Sequence, residues 1–410
     1  MKRIVSILAA LALAVSVMTG VSAAETANAT SGGLMQMSDS EKEAFINENL
    51  DVRLQHLSTL VTLSANRLYD EIADEVEAAL GDGLTAVEIK EALYHSAAYC
   101  GYTRAALALD AADAALEALG QDVSYSSRIT STEEDRYEDG LAVQRFLFGP
   151  QIGTITEDMS PNMQLQTRYL SGICFGDFYN RAGLSLYTRE FLTYCTIVGN
   201  GNCAGQLTGH INGNLSVGHT KDMLRAAALL NEQYNGEEKT QLALDMIDAT
   251  ENETAAEPAA EPQQPTETIA TEYSSDSEEL LAIMDHFETD DTDGYIDASL
   301  DAGTQDILIS ATNAVIDGTQ IPTSDNQATQ TLIDLAVMAA QGGRESEIPA
   351  KVAESLAAGN SEDAVLAVSL LNAPYNGFPR TLNMTSAVSS ALENIDNNAG
   401  ETAERRSQCR

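Results

Sequence analysis

One spacing recurs three times in this chain and limits what it can fold into. Gly83 stands two residues before Thr85 and eighteen before the Gly of Tyr99-Cys100-Gly101. Gly218, Thr220 and Tyr234-Asn235-Gly236 repeat those distances, and so do Gly359, Ser361 and Tyr375-Asn376-Gly377. A glycine followed by a helix-capping Thr or Ser marks the end of one helix and the start of the next. Leu68, Ile72, Val76 and Leu80 fall on one helical stripe before the first glycine, and Ile89, Leu93 and Ala97 on another after it. Glu88, three residues after Thr85, completes a capping box. Each unit therefore reads as helix, glycine turn and capped helix. Such a hairpin cannot bury both its faces alone, so the units are expected to pack on one another within the chain.

The expected class is all-α. The spacing and composition divide the chain into a signal peptide (1–23), a flexible segment (24–40), module 1 (41–120), module 2 (121–249), an acidic Pro-rich linker (250–279), module 3 (280–395) and a tail (396–410). The signal is read from Lys2-Arg3, the apolar run Ile4–Val17 and the small residues Val21-Ser22-Ala23. Fourteen apolar residues are short of the roughly 20 that span a bilayer, so an exported, cleaved protein with no membrane span is expected. The linker, with nine acidic and no basic residues between Glu251 and Glu279, reads as self-repelling.

With 62 acidic against 22 basic residues the net charge is −40, which excludes a phosphate-binding, nucleic-acid role. Five cysteines (Cys100, Cys174, Cys195, Cys203 and Cys409) are too few for a disulfide scaffold and lack zinc-site spacing, so neither metal nor cofactor is expected. Aligned on Gly294, Asp291-Thr-Asp293-Gly294 places Thr289 and Leu300 where a calcium loop needs its first and last ligands, so the stretch reads as an Asp-Gly turn.

Residues 136–236 resemble the carboxymuconolactone decarboxylase family. The resemblance rests on Arg136-Tyr-Glu-Asp-Gly140, on Phe178-Tyr-Asn-Arg181-Ala-Gly183, on Thr188-Arg189-Glu190, and on Gln206-Leu-Thr-Gly-His210 through Gly218. Modules 1 and 3 resemble the core of that family alone. The resemblance implies helical assembly and one of two chemistries. One is metal-free decarboxylation of a carboxylated lactone. The other, in the alkylhydroperoxidase D branch, is peroxide reduction by a Cys-x-x-Cys pair with a Glu and a His. On this pattern Glu190, Cys203 and His210 are the candidate catalytic residues, and Gln206 replaces the second Cys. Arg181 and Arg189 are candidate anchors for a substrate carboxylate. Glu75 and Lys351 take the place of His210 in modules 1 and 3. A small-molecule substrate, lactone acid or peroxide, is the expected partner, with pairing of two chains left open. A non-catalytic helical scaffold is the remaining alternative.

Overall fold

The computed structural model describes residues 31–152, 164, 167–255, 268–289 and 292–408. The proposed signal peptide lies outside them. The described residues are helical, and the one β-feature among them is an isolated antiparallel bridge between Ile129 and Arg181. The chain divides into two compact units, one from the described residues of 1–158 and 168–283, the other from those of 159–167 and 284–410.

In the first unit the caps form where the spacing places them. The Thr85 hydroxyl accepts from the Glu88 N–H and the Glu88 carboxylate accepts from the Thr85 N–H, while Thr220 accepts from Met223 N–H. Gly83 and Gly218 take φ of +93° and +100°, a region that costs glycine nothing. The helices Val52–Asn66 and Leu186–Asn200 are buried along most of their length and form the centre of the unit. Leu68 does not continue the stripe of the Ile72–Gly81 helix. Arg67 in the left-handed region (φ +62°) ends the preceding helix, and a short 3₁₀ turn follows.

A reciprocal clasp joins the two central helices. Arg104 donates to Ala65 O at 3.1 Å and to Asn200 Oδ1 at 2.8 Å. Lys239 donates to Gly199 O at 2.6 Å and to Asn66 Oδ1 at 2.8 Å. Each cation sits three residues after the Gly of a Tyr-x-Gly and meets the C-terminal end of a helix, where the backbone dipole favours positive charge.

Further sequence expectations are corrected. Ser31–Met35 is helical, within the segment expected to be flexible. The described part of the acidic linker packs on the first unit. Ile269 N–H donates to Ile129 O, Asp276 pairs with Lys90 at 2.6 Å, and Glu279 is fully buried. Local self-repulsion loses to pairing with cations far away in sequence. Asp293-Gly294 lies inside the helix Thr292–Ser299 rather than in a turn.

The second unit builds its core from Leu308, Ile333, Leu335, Val365, Val368 and Val388. Ser361 caps the Glu362–Leu371 helix by accepting from Ala364 N–H, and Arg380 donates to Ala340 O at 2.5 Å. The last helix runs from Phe378 to Gln408, through the stretch expected to be a frayed tail. Among the described residues no helix is long and apolar enough to cross a membrane.

Candidate active site

Glu190 lies one turn into the Leu186–Asn200 helix, which Ser185 starts by accepting from Thr188 N–H. Packing of that helix on Ala204–Ser216 brings His210 over it. The His210 Nδ1 is 2.9 Å from Glu190 Oε1, with the carboxylate fully buried and the imidazole residue 8% exposed. Asn214 ties the two helices by donating to Glu190 O at 3.1 Å and to His210 O at 2.7 Å. Phe148 and Tyr99 meet the imidazole edge-to-face, with centroids 5.4 and 5.6 Å away.

The other carboxylate oxygen ends a buried chain of hydroxyls. Tyr179 donates to Glu190 Oε2 at 2.7 Å. Its oxygen receives Tyr99 OH at 3.1 Å and faces Thr193 Oγ1 at 2.8 Å. His95 Nε2 stands 2.9 Å from Thr193 Oγ1 and 3.1 Å from Arg189 O. His95 Nδ1 faces a second carbonyl, Phe178 O, at 3.4 Å, and contacts run from His95 through Thr193 and Tyr179 to Glu190. Cys174, on the π-helix Leu170–Phe178, donates to Tyr99 OH at 3.4 Å. Burial first, and the Arg189 charge second, hold His95 well below its usual range, so it stays neutral. Burial, reinforced by the Glu190 charge, pushes the Tyr179 phenol well up. Glu190 thus faces Tyr179 OH with one carboxylate oxygen and His210 Nδ1 with the other. Among the described residues, His210 makes its side-chain hydrogen bond through Nδ1.

The other expected residues go elsewhere. Arg181 donates to both Glu91 oxygens, with a shortest contact of 2.8 Å, and to Glu279 at 2.5 Å, while lying 3.6 Å over the Tyr94 ring. Arg189, adjacent to Glu190 in sequence, points to Glu91 at 2.8 Å and to Arg181 O at 2.9 Å. Its Nε and Nη1 are buried with no hydrogen-bond partner among the described residues. Cys203 is buried as the N-cap of Ala204–Ser216, seven residues and about 10 Å of helix before His210. Cys100, Cys174, Cys195 and Cys203 are buried thiols. The structure therefore joins Glu190 to His210 and directs Cys203, Arg181 and Arg189 away from them.

Tyr99, Tyr179, Thr193 and His95 were not anticipated. Tyr99 stands in the first Tyr-x-Gly and Tyr179 in Phe178-Tyr-Asn-Arg181, but their pairing runs between distant segments and left no local signal.

Gly213 sets the fit of the pair. A Cβ there would lie 2.3 Å from Glu190 Oε1 and 3.0 Å from Phe148 Cε1. Gly213→Ala is expected to push the carboxylate off His210. The helix itself should gain, by up to about 1 kcal/mol from propensity. Thermal melting and NMR titration of His210 on the same variant check this: a retained fold with an altered imidazole titration is the expected outcome.

No curated protein matches this chain. Residues 32–114 of the 410 match the model of the Carboxymuconolactone decarboxylase family, a stretch that ends before Glu190 and His210. By this match and by the helical fold of the described residues, the stretch 32–114 is similar to the carboxymuconolactone decarboxylase family.

Proposed function

We propose that the chain is an exported decarboxylase of a carboxylated lactone, with His210 as proton donor and Glu190 as its partner. The observation that carries this reading is the 2.9 Å contact between a fully buried Glu190 and His210, backed by the hydroxyl chain from Tyr179. Loss of CO₂ breaks a C–C bond and leaves its electron pair on carbon, delocalised into a neighbouring carbonyl. That carbon must then take a proton. A protonated His210, its charge balanced by Glu190, delivers it from Nε2 and is reprotonated by water.

Neither expected carboxylate anchor is carried into this reading: Arg181 spends Nε, Nη1 and Nη2 on Glu91 and Glu279, and Arg189 is fully buried with its Nη2 on Glu91 and on Arg181 O. The thiol-redox alternative is less well supported. Cys203 is buried, and Gln206 stands where the second thiol of the pair would be. Export rests on the apolar run Ile4–Val17 and the small residues that follow it.

The test is CO₂ release from a carboxylated γ-lactone, set beside peroxide consumption with a thiol reductant. Decarboxylation without peroxide turnover is expected. Peroxide turnover alone would replace this reading with the thiol one, and activity in neither assay would favour a scaffold.

A further inference from the structure

Glu190 is the fifth residue after the N-cap Ser185, and His210 stands eight residues before the turn glycine Gly218. The same counts from the N-cap Asp51 and from Gly83 land on His56 and Glu75. These two also meet: His56 Nδ1 lies 2.7 Å from Glu75 Oε1. The residue types are exchanged, with the imidazole on the first helix and the carboxylate on the second. The pairing is not an automatic product of the fold. From Asn326 and Gly359 the same counts give Thr331 and Lys351, which turn instead to Ser355 at 3.1 Å and Asp334 at 2.9 Å.

The exchange reverses the polarity of the second pair. Asp82, 54% exposed at its side chain, holds the other ring nitrogen of His56 at 2.9 Å. An imidazole between two carboxylates donates at both nitrogens. Burial opposes its charge, but the bonds to Asp82 and Glu75 outweigh burial and raise it above its usual range. Burial raises the Glu75 carboxyl, which makes its anion a stronger base. The side chains of His56 and Glu75 keep 13% and 17% exposure, enough to meet a small molecule at the edge of the unit.

We infer that His56 and Glu75 form a second proton-transfer site, in which the Glu75 carboxylate takes a proton from a neutral carbon or oxygen acid. Anions are repelled there, because Asp82 adds negative charge to that of Glu75. The two sites therefore differ in substrate class as well as in direction of proton transfer.

The probe is 5-nitrobenzisoxazole, a neutral carbon acid. Glu75 removes its C3 proton, the C–H electron pair forms the nitrile as the N–O bond breaks, and the product is a coloured nitrophenolate, so no co-reactant is needed. The full chain should turn it over faster than acetate at equal concentration. Glu75→Gln should lower that rate by about tenfold or more. Glu190→Gln should leave it within about twofold. A folded Glu75→Gln protein with the wild-type rate overturns the inference, as does a loss that follows Glu190→Gln instead. Should Glu75→Gln fail to fold, the exposed substitution Asp82→Asn carries the test. A fall of about threefold or more supports the site, and an unchanged rate overturns it. Because probe and residues differ from those of the lactone assay, failure here is distinguishable from failure of the decarboxylase reading.

Discussion

Glu190→Gln is expected to lower the rate of CO₂ release from a carboxylated lactone by about 10²- to 10⁴-fold, the usual worth of a positioned acid–base pair. The substitution keeps the side-chain shape but removes the charge that balances His210. It also gives Tyr179 a weaker acceptor at Oε2, 2.7 Å away. His210→Gln should fall in the same range. Because the two residues act as a unit, the double variant should be little worse than either single one. Substrate affinity should change far less than turnover, since the proposed role of both residues is proton transfer. The measurement is kcat and KM for the three variants. Additive losses would show that Glu190 and His210 work separately.

The largest effect on stability is expected at Glu91, far from that chemistry in role. Its carboxylate is 3% exposed and joins Arg181 and Arg189, themselves 1% and 0% exposed. Removing it leaves two buried guanidinium groups with Glu279 as their remaining carboxylate. Breaking such a pair on one side costs about 3–5 kcal/mol, because the charge left behind is neither solvated nor matched. Glu91→Ala should therefore lower the denaturant midpoint strongly. Burial alone would raise the Glu91 pKa, but Arg181 and Arg189 outweigh it and hold it below the ordinary value of 4.5. A depressed carboxylate pKa gives stability that is fully present above the unfolded value and is lost as pH falls through the folded one. Wild-type stability should thus decline below about pH 4.5, and part of that decline should be missing from Glu91→Ala. Equilibrium unfolding at several pH values between neutrality and that range checks both statements.

These two networks differ in how much of them a reader of the sequence can see. Caps and turn glycines are local. Thr85 and Gly83 each act within their own hairpin, so spacing reveals them. Glu190 and His210 are twenty residues apart on successive helices, close enough for a motif to hold both. The partners of Arg181 and Arg189 are not local. Glu91 and Glu279 lie 90 and 98 residues from Arg181, on other helices. Nothing near the arginines in sequence says that a buried carboxylate will take them, so they read as free anchors. His95 and Tyr99 reach Thr193 and Tyr179 over 98 and 80 residues and are invisible for the same reason. Glu279 was hidden further by its setting, in a stretch whose acidity and prolines describe a loose linker. Tertiary pairing with Arg181 and Tyr125 overrides that local preference.

Proton delivery by His210 is the central claim, and following the proton tests it most directly. In D₂O, the wild-type protein should release CO₂ and place one deuterium, with a single handedness, on the carbon that lost the carboxylate. His210→Gln should slow that step by about 10²-fold or more, and the residual product should carry deuterium of mixed handedness, because solvent protonates an unguarded carbanion from either side. The same rate and the same single handedness in His210→Gln would contradict the account.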